Sequence, residues 1–297
     1  MIRLRLVAFC IAVVLALVFG WRLAGSPDPR KWVLPLAGPD VASAPARVAV
    51  PPAQMPPAAD TPPSAETPQP SLPQARDAIV AHVARVQEYQ AYFQRLQVAL
   101  PVQHAAILDR LAGDDLAARL GGRSEAAIDL QMFEASRSLR QSHGILAARA
   151  DAGALQAIAD GQAAMMLALA PGHPKLCADF FYGGAGQGFF DFLVAHRPLA
   201  ARLHLAWLEA ILNGKAHPVA RPDPDEADIQ MLDDALAARG LSRTAIDALL
   251  DSKLPDPPLS DTEMCQVARD YLATLRALPE EPQLRLLSRS LALAARS

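Results

Sequence analysis

The chain has 297 residues with 28 basic and 31 acidic side chains, a formal net charge of −3, and 52% of its residues are hydrophobic. Six of the basic and four of the acidic residues precede Arg76, which leaves 22 against 27, about −5, beyond it. That balance excludes the basic footprint of a nucleic-acid-binding domain, while some 220 residues are ample for a buried core.

The first element in chain order is an apolar run from Leu6 to Trp21, 16 residues preceded by Arg3 and Arg5. It sits at the lower edge of the roughly 17 to 25 residues that span a bilayer as a helix. Leu23 and Ala24 extend it, Arg22 can reach the headgroups, and Trp21 suits the interfacial belt. Residues 1–25 are therefore expected to form a single-pass signal anchor, holding the protein to the inner membrane of a bacterial envelope through residues 6–24. The rival is a cleaved export signal, for which only Val18-Phe19-Gly20 approximates the small-x-small pattern. From Ser26 to Gln74, 14 of 49 residues are proline. Such a segment buries too little apolar surface to fold, so residues 26–75 read as a disordered Pro/Ala-rich tether.

Residues 76–297 carry helical periodicity throughout, with no alternating pattern of useful length, and predict an all-α multi-helix bundle. Ile79, Val83, Val86, Tyr89, Phe93, Leu96 and Leu100 make one stripe on a helix of about 24 residues that Pro101 ends. Further helices are expected at about 102–111, 124–142, 151–170, 198–213, 242–251 and 282–296. Two more declare their starts. Asp223 caps a helix with Pro224 at its first position and Glu226 three residues on, and Ser260 with Glu263 repeats the capping-box logic.

Two cysteines lie beyond the anchor. In a compartment reached through an export signal, Cys177 and Cys265 read as one disulfide, and this places the domain in the periplasm. Just after Cys177 comes Phe180-Phe181-Tyr182-Gly183-Gly184-Ala185-Gly186-Gln187-Gly188-Phe189-Phe190-Asp191-Phe192, with six of the chain's 16 aromatic residues in 13 positions. A P-loop needs Lys and Ser or Thr after its last glycine, where Phe189 and Phe190 stand, and a dinucleotide fingerprint needs a preceding strand. The segment is instead a turn between helices, with rings turned into the core or left as a lip for a partner. The inward arrangement is the expectation, and Phe180, Phe181, Tyr182, Gly183, Gly184, Gly186, Gly188, Phe189, Phe190 and Phe192 are the candidate partner-binding residues.

No catalytic, metal or cofactor constellation emerges. The seven histidines lack His-Glu-x-x-His spacing, the acids around Asp225 fail the EF-hand pattern, and no Gly-x-Ser-x-Gly elbow occurs. Phe189-Phe190-Asp191-Phe192-Leu193 shares a Phe-Asp pair with the motif of the membrane-anchored, lipase-specific foldases of bacteria. The order of anchor, Ala/Pro tether and helical domain also resembles theirs. Gln187 stands where that motif has arginine, and its trailing Gly-Glu is missing. The functional expectation is a membrane-tethered envelope protein acting as a binding, assembly or chaperone-like factor on an envelope protein partner, without cofactor or catalysis. Its alternatives are an envelope hydrolase whose site assembles only in three dimensions and a sensor of an apolar ligand.

Overall fold

The computed structural model describes residues 71–118, 126–250 and 256–295. The expected anchor and nearly all of the expected tether lie outside these. Among the described residues every regular element is an α-helix, eleven in all: α1 Leu72–Arg85, α2 Gln87–Ala99, α3 Pro101–Ala118, α4 Ala126–Ala147, α5 Ala152–Leu169, α6 Pro174–Phe181, α7 Gln187–Ala216, α8 Glu226–Ala238, α9 Arg243–Leu250, α10 Asp261–Ala277 and α11 Glu280–Ala294. Helix α1 begins within the last residues assigned to the tether, because Gln74 accepts the Ser71 backbone N–H at 2.8 Å and Pro73 is tolerated in a first turn.

The long stripe predicted over 79–100 is two helices rather than one. Val86 has an extended backbone at φ −96°, ψ 93°, and α1 and α2 part there. The stripe is still buried at Ile79, Val83, Tyr89, Phe93, Leu96 and Leu100. The break lets α1 lie on α3 while α2 also reaches α7, which one straight rod of this length would not do.

The 30-residue α7 is the spine, following directly on the glycine-rich turn and packing on α2, α4 and α5. Sequence predicted only its part from 198 onward, since Pro198 ends most helices. Instead, the helix bends: His196 leaves helical geometry at φ −128°, ψ 22°, its Nδ1 lies 2.8 Å from the Phe192 carbonyl, and the chain resumes its helix through the proline. Near its end α7 touches α4 backbone to backbone, because a Cβ at Gly214 would overlap the Leu146 carbonyl oxygen.

Two buried ion pairs fix the crossings. Arg197, at the bend, binds Asp129 of α4 through Nε and Nη2 at 3.1 and 3.0 Å, and Tyr89 of α2 donates its hydroxyl to the same carboxylate at 2.5 Å. Arg285 of α11 grips Asp228 of α8 at 2.6 Å through both Nε and Nη2. The guanidinium bonds first of all hold the Asp228 carboxyl below the usual carboxylate range. That grip accompanies a shifted cap. The N-cap of α8 is Asp225, not Asp223, with Asp228 completing a reciprocal box. The Ser260–Glu263 box forms as predicted, Glu263 accepting the Ser260 N–H at 2.8 Å.

Candidate binding pocket beside the glycine-rich turn

Helix α6 has only eight residues, too few to hold itself. It is fastened from inside: Cys177, fully buried, is bonded to Cys265 in the second turn of α10, with their Cα atoms 5.4 Å apart. The disulfide expected from the sequence is present. After Phe181 the chain turns on Gly183, whose φ of +79° favours glycine. The Gly184 N–H closes the turn by donating to the Asp179 carbonyl at 2.8 Å. Helix α7 then starts at Gln187, which donates to Asp191 at 2.9 Å.

The aromatic cluster divides. Phe189, Phe190 and Phe192 point inward and are buried. Phe189 stacks on Phe180 at 5.6 Å and meets the edge of Phe133 at 5.8 Å, while Phe192 lies flat against the His196 ring at 3.9 Å. Phe180 and Phe181 are half-buried, and Tyr182, at 66% exposure, stands at the surface with its hydroxyl 3.1 Å from the Met264 sulfur.

Between these rings and the bundle lies a cavity of about 370 Å³. Of the candidate residues, Phe180, Phe181, Tyr182, Gly183, Gly184 and Phe189 line it, whereas Gly186, Gly188, Phe190 and Phe192 do not. Its remaining wall comes from α4, α5, α7 and the end of α11, and includes Phe133, Arg140, Met165, Leu203, His204 and Trp207. The residues of this half are scattered over four helices and form no contiguous motif in the sequence. One signal was available: Arg140 follows Met132, Phe133, Ser136 and Leu139 on the inner face of α4, a cation in an otherwise buried stripe.

Arg137, Arg140, Gln141, Gln162 and His204 are the polar side chains of this part of the wall, and Arg140 and His204 are the two that are drawn deepest out of water. Arg140 has its guanidinium carbon 5.7 Å from the Phe133 ring centre and 5.6 Å from that of Trp207, and donates to Ser136 Oγ at 3.0 Å. Burial first of all lowers its pKa to about 10, so it stays charged at neutral pH. His204 is 3% exposed, lies near the rings of Tyr89 and Tyr92, and neither ring nitrogen has a hydrogen-bond partner. Burial, and secondarily the Arg140 charge, push its pKa down to about 3.

This neutral histidine has a consequence for stability. The unfolded chain protonates His204 near its ordinary value of 6.5, and the folded chain only near 3. Between those pH values unfolding takes up a proton, so stability is unaffected above the upper one and falls as pH drops below it. From pH 7 to pH 5 the loss through this group is about 2 kcal/mol. Burial also lowers His104 and His143, which act in the same direction, so the measurement is comparative. Urea unfolding at both pH values should show His204→Phe losing about 2 kcal/mol less than the unaltered chain. Equal losses would contradict a buried neutral ring.

No protein-family model, curated protein or solved structure matches the chain, so the cavity's own chemistry carries the functional argument.

Proposed function

We propose that this chain is a membrane-tethered, non-catalytic binding factor of a Gram-negative envelope, and that it holds an apolar group in the cavity beside Gly183–Gly188. The observation that carries the reading is the composition of the cavity wall. Aromatic and aliphatic side chains make up most of it, its polar members beyond the glycine-rich turn are Arg137, Arg140, Gln141, Gln162 and His204, and it includes neither Asp nor Glu. A hydrolase assembled in three dimensions needs an acid or base within reach of a histidine or nucleophile, and this wall supplies no such pair. The apolar run at Leu6–Trp21 and the Pro-rich stretch support a tether, which raises the concentration of a binding domain near envelope partners. The Cys177–Cys265 bond suits an oxidising compartment.

Two readouts test this together. Alkaline phosphatase fused to the C-terminus should be active and a fluorescent protein fused there dark; the reverse pattern refutes the topology. The full chain in nanodiscs should bind the neutral dye Nile red with one-to-one stoichiometry after subtraction of empty discs. Ala294→Trp, placed at the exposed rim of the cavity, should block it without lowering thermal stability. Dye binding that ignores the tryptophan would place the apolar site elsewhere.

A further inference from the structure

We infer that the cavity's ligand is a monoanionic amphiphile, a straight-chain carboxylic acid whose head group sits on Arg140 and whose chain follows the aromatic wall. The inference rests on the binding reading above and gives it a ligand class.

The head-group end is defined by an uncompensated charge. Among the described residues no carboxylate lies within ion-pair distance of Arg140, and the nearby Glu134 is engaged by Arg137 at 3.7 Å. A guanidinium drawn out of water between two aromatic rings retains most of its donors and gains from an anion placed against them. Beside it, His204 brings a neutral ring with both nitrogens unpartnered, so one N–H remains to donate. The group that satisfies both is a small oxyanion. Of the two guanidinium groups on the cavity wall, Arg137 has Glu134 at 3.7 Å and Arg140 has no counter-charge, and this single uncompensated charge favours a carboxylate over a phosphate dianion.

The tail end is defined by what adjoins the cavity. A second cavity of about 220 Å³ shares the wall made by Gln162, Phe180, Phe181 and Ala294, and its far side is aliphatic, with Ile158, Leu275 and Leu287 among its lining. The lining therefore passes from Arg140, across Gln162 and the rings of Phe180 and Phe181, to a mostly hydrocarbon-lined end. Beyond Gln141 and Gln162 a sugar or nucleotide would find only Tyr271 and Ser290 for its hydroxyls along this path, whereas an alkyl chain needs no such partner.

The test uses the full chain in nanodiscs and three ligands of equal chain length, decanoate, decanol and decyltrimethylammonium, followed by calorimetry with empty-disc subtraction. Decanoate should bind about ten- to a hundred-fold more tightly than decanol, the range expected for one charge-assisted hydrogen-bonded head group. The ammonium should bind more weakly than either. Arg140→Met, which keeps the stem and removes the charge, should bring decanoate down to decanol. If that variant fails to fold, the ranking in the unaltered chain decides by itself. Equal binding of decanoate and decanol overturns the carboxylate inference while leaving an apolar binding site standing. Binding of neither overturns both. A preference that survives Arg140→Met shows that the head group sits elsewhere and also overturns the inference.

Discussion

Replacing Cys177 and Cys265 together by serine is expected to remove about 4 to 5 kcal/mol of stability. The two residues are 88 positions apart, and in the chain-entropy account closing so long a loop in the unfolded ensemble is what raises the stability of the fold. For a domain of this size the midpoint of thermal unfolding should drop by roughly 8 to 20 °C. The loss should also be uneven. Helix α6 carries Phe180 and Phe181 on eight residues that contact α5 and α10, and without the bond its amides should exchange with solvent before those of α4 or α7. Urea unfolding and hydrogen exchange on the oxidised, reduced and double-serine forms read both effects. A loss under about 1 kcal/mol would mean that packing alone holds α6 in place.

Asp129→Ala is expected to cost about 3 to 5 kcal/mol, the range for stripping one member from a buried ion pair. Asp129 is fully buried and accepts from both Arg197 and Tyr89. Its removal takes the counter-charge from a guanidinium that is 19% exposed and the acceptor from a buried phenol. The damage falls on the point where α2, α4 and the bend of α7 meet. A double variant, Asp129→Leu with Arg197→Met, should recover a good part of the loss, because the penalty lies in the unmatched charge rather than in the missing attraction. Chemical denaturation of both variants measures the difference. An additive result, with the double variant worse than Asp129→Ala, would show that the pair is not coupled as the geometry indicates.

The sequence is legible where the chain stabilises itself locally. The Ser260–Glu263 box, the α5 start at Asp151 and the turn at Gly183 each depend on residues within five positions of one another, and all three occur. The misreadings arise where distant residues decide. Asp223 and Asp225 are equally good caps by type, and the choice of Asp225 goes with Asp228, which Arg285 holds from 57 positions away. The bend at His196 and the break at Val86 answer to packing against other helices, which periodicity does not encode. The pocket was half legible for the same reason. Its turn is contiguous in sequence, whereas Arg140 and His204 come from different helices and meet only when α4 lies on α7.

The central place of α7 also sets an order of events in time. Arg95 of α2 pairs with Glu209 of α7, 114 residues later, at 2.7 Å, and Ser288 of α11 donates to the carbonyl of Ala148, 140 residues earlier, at 2.6 Å. A chain growing from its N-terminus therefore completes Tyr89, Phe93 and Met132 while the spine that will cover them does not yet exist. At typical synthesis rates a lag of about 100 residues lasts roughly 5 to 20 s. Through that interval the first helices carry an uncovered aromatic surface, and whatever escorts the nascent polypeptide has to shield it until the second half arrives.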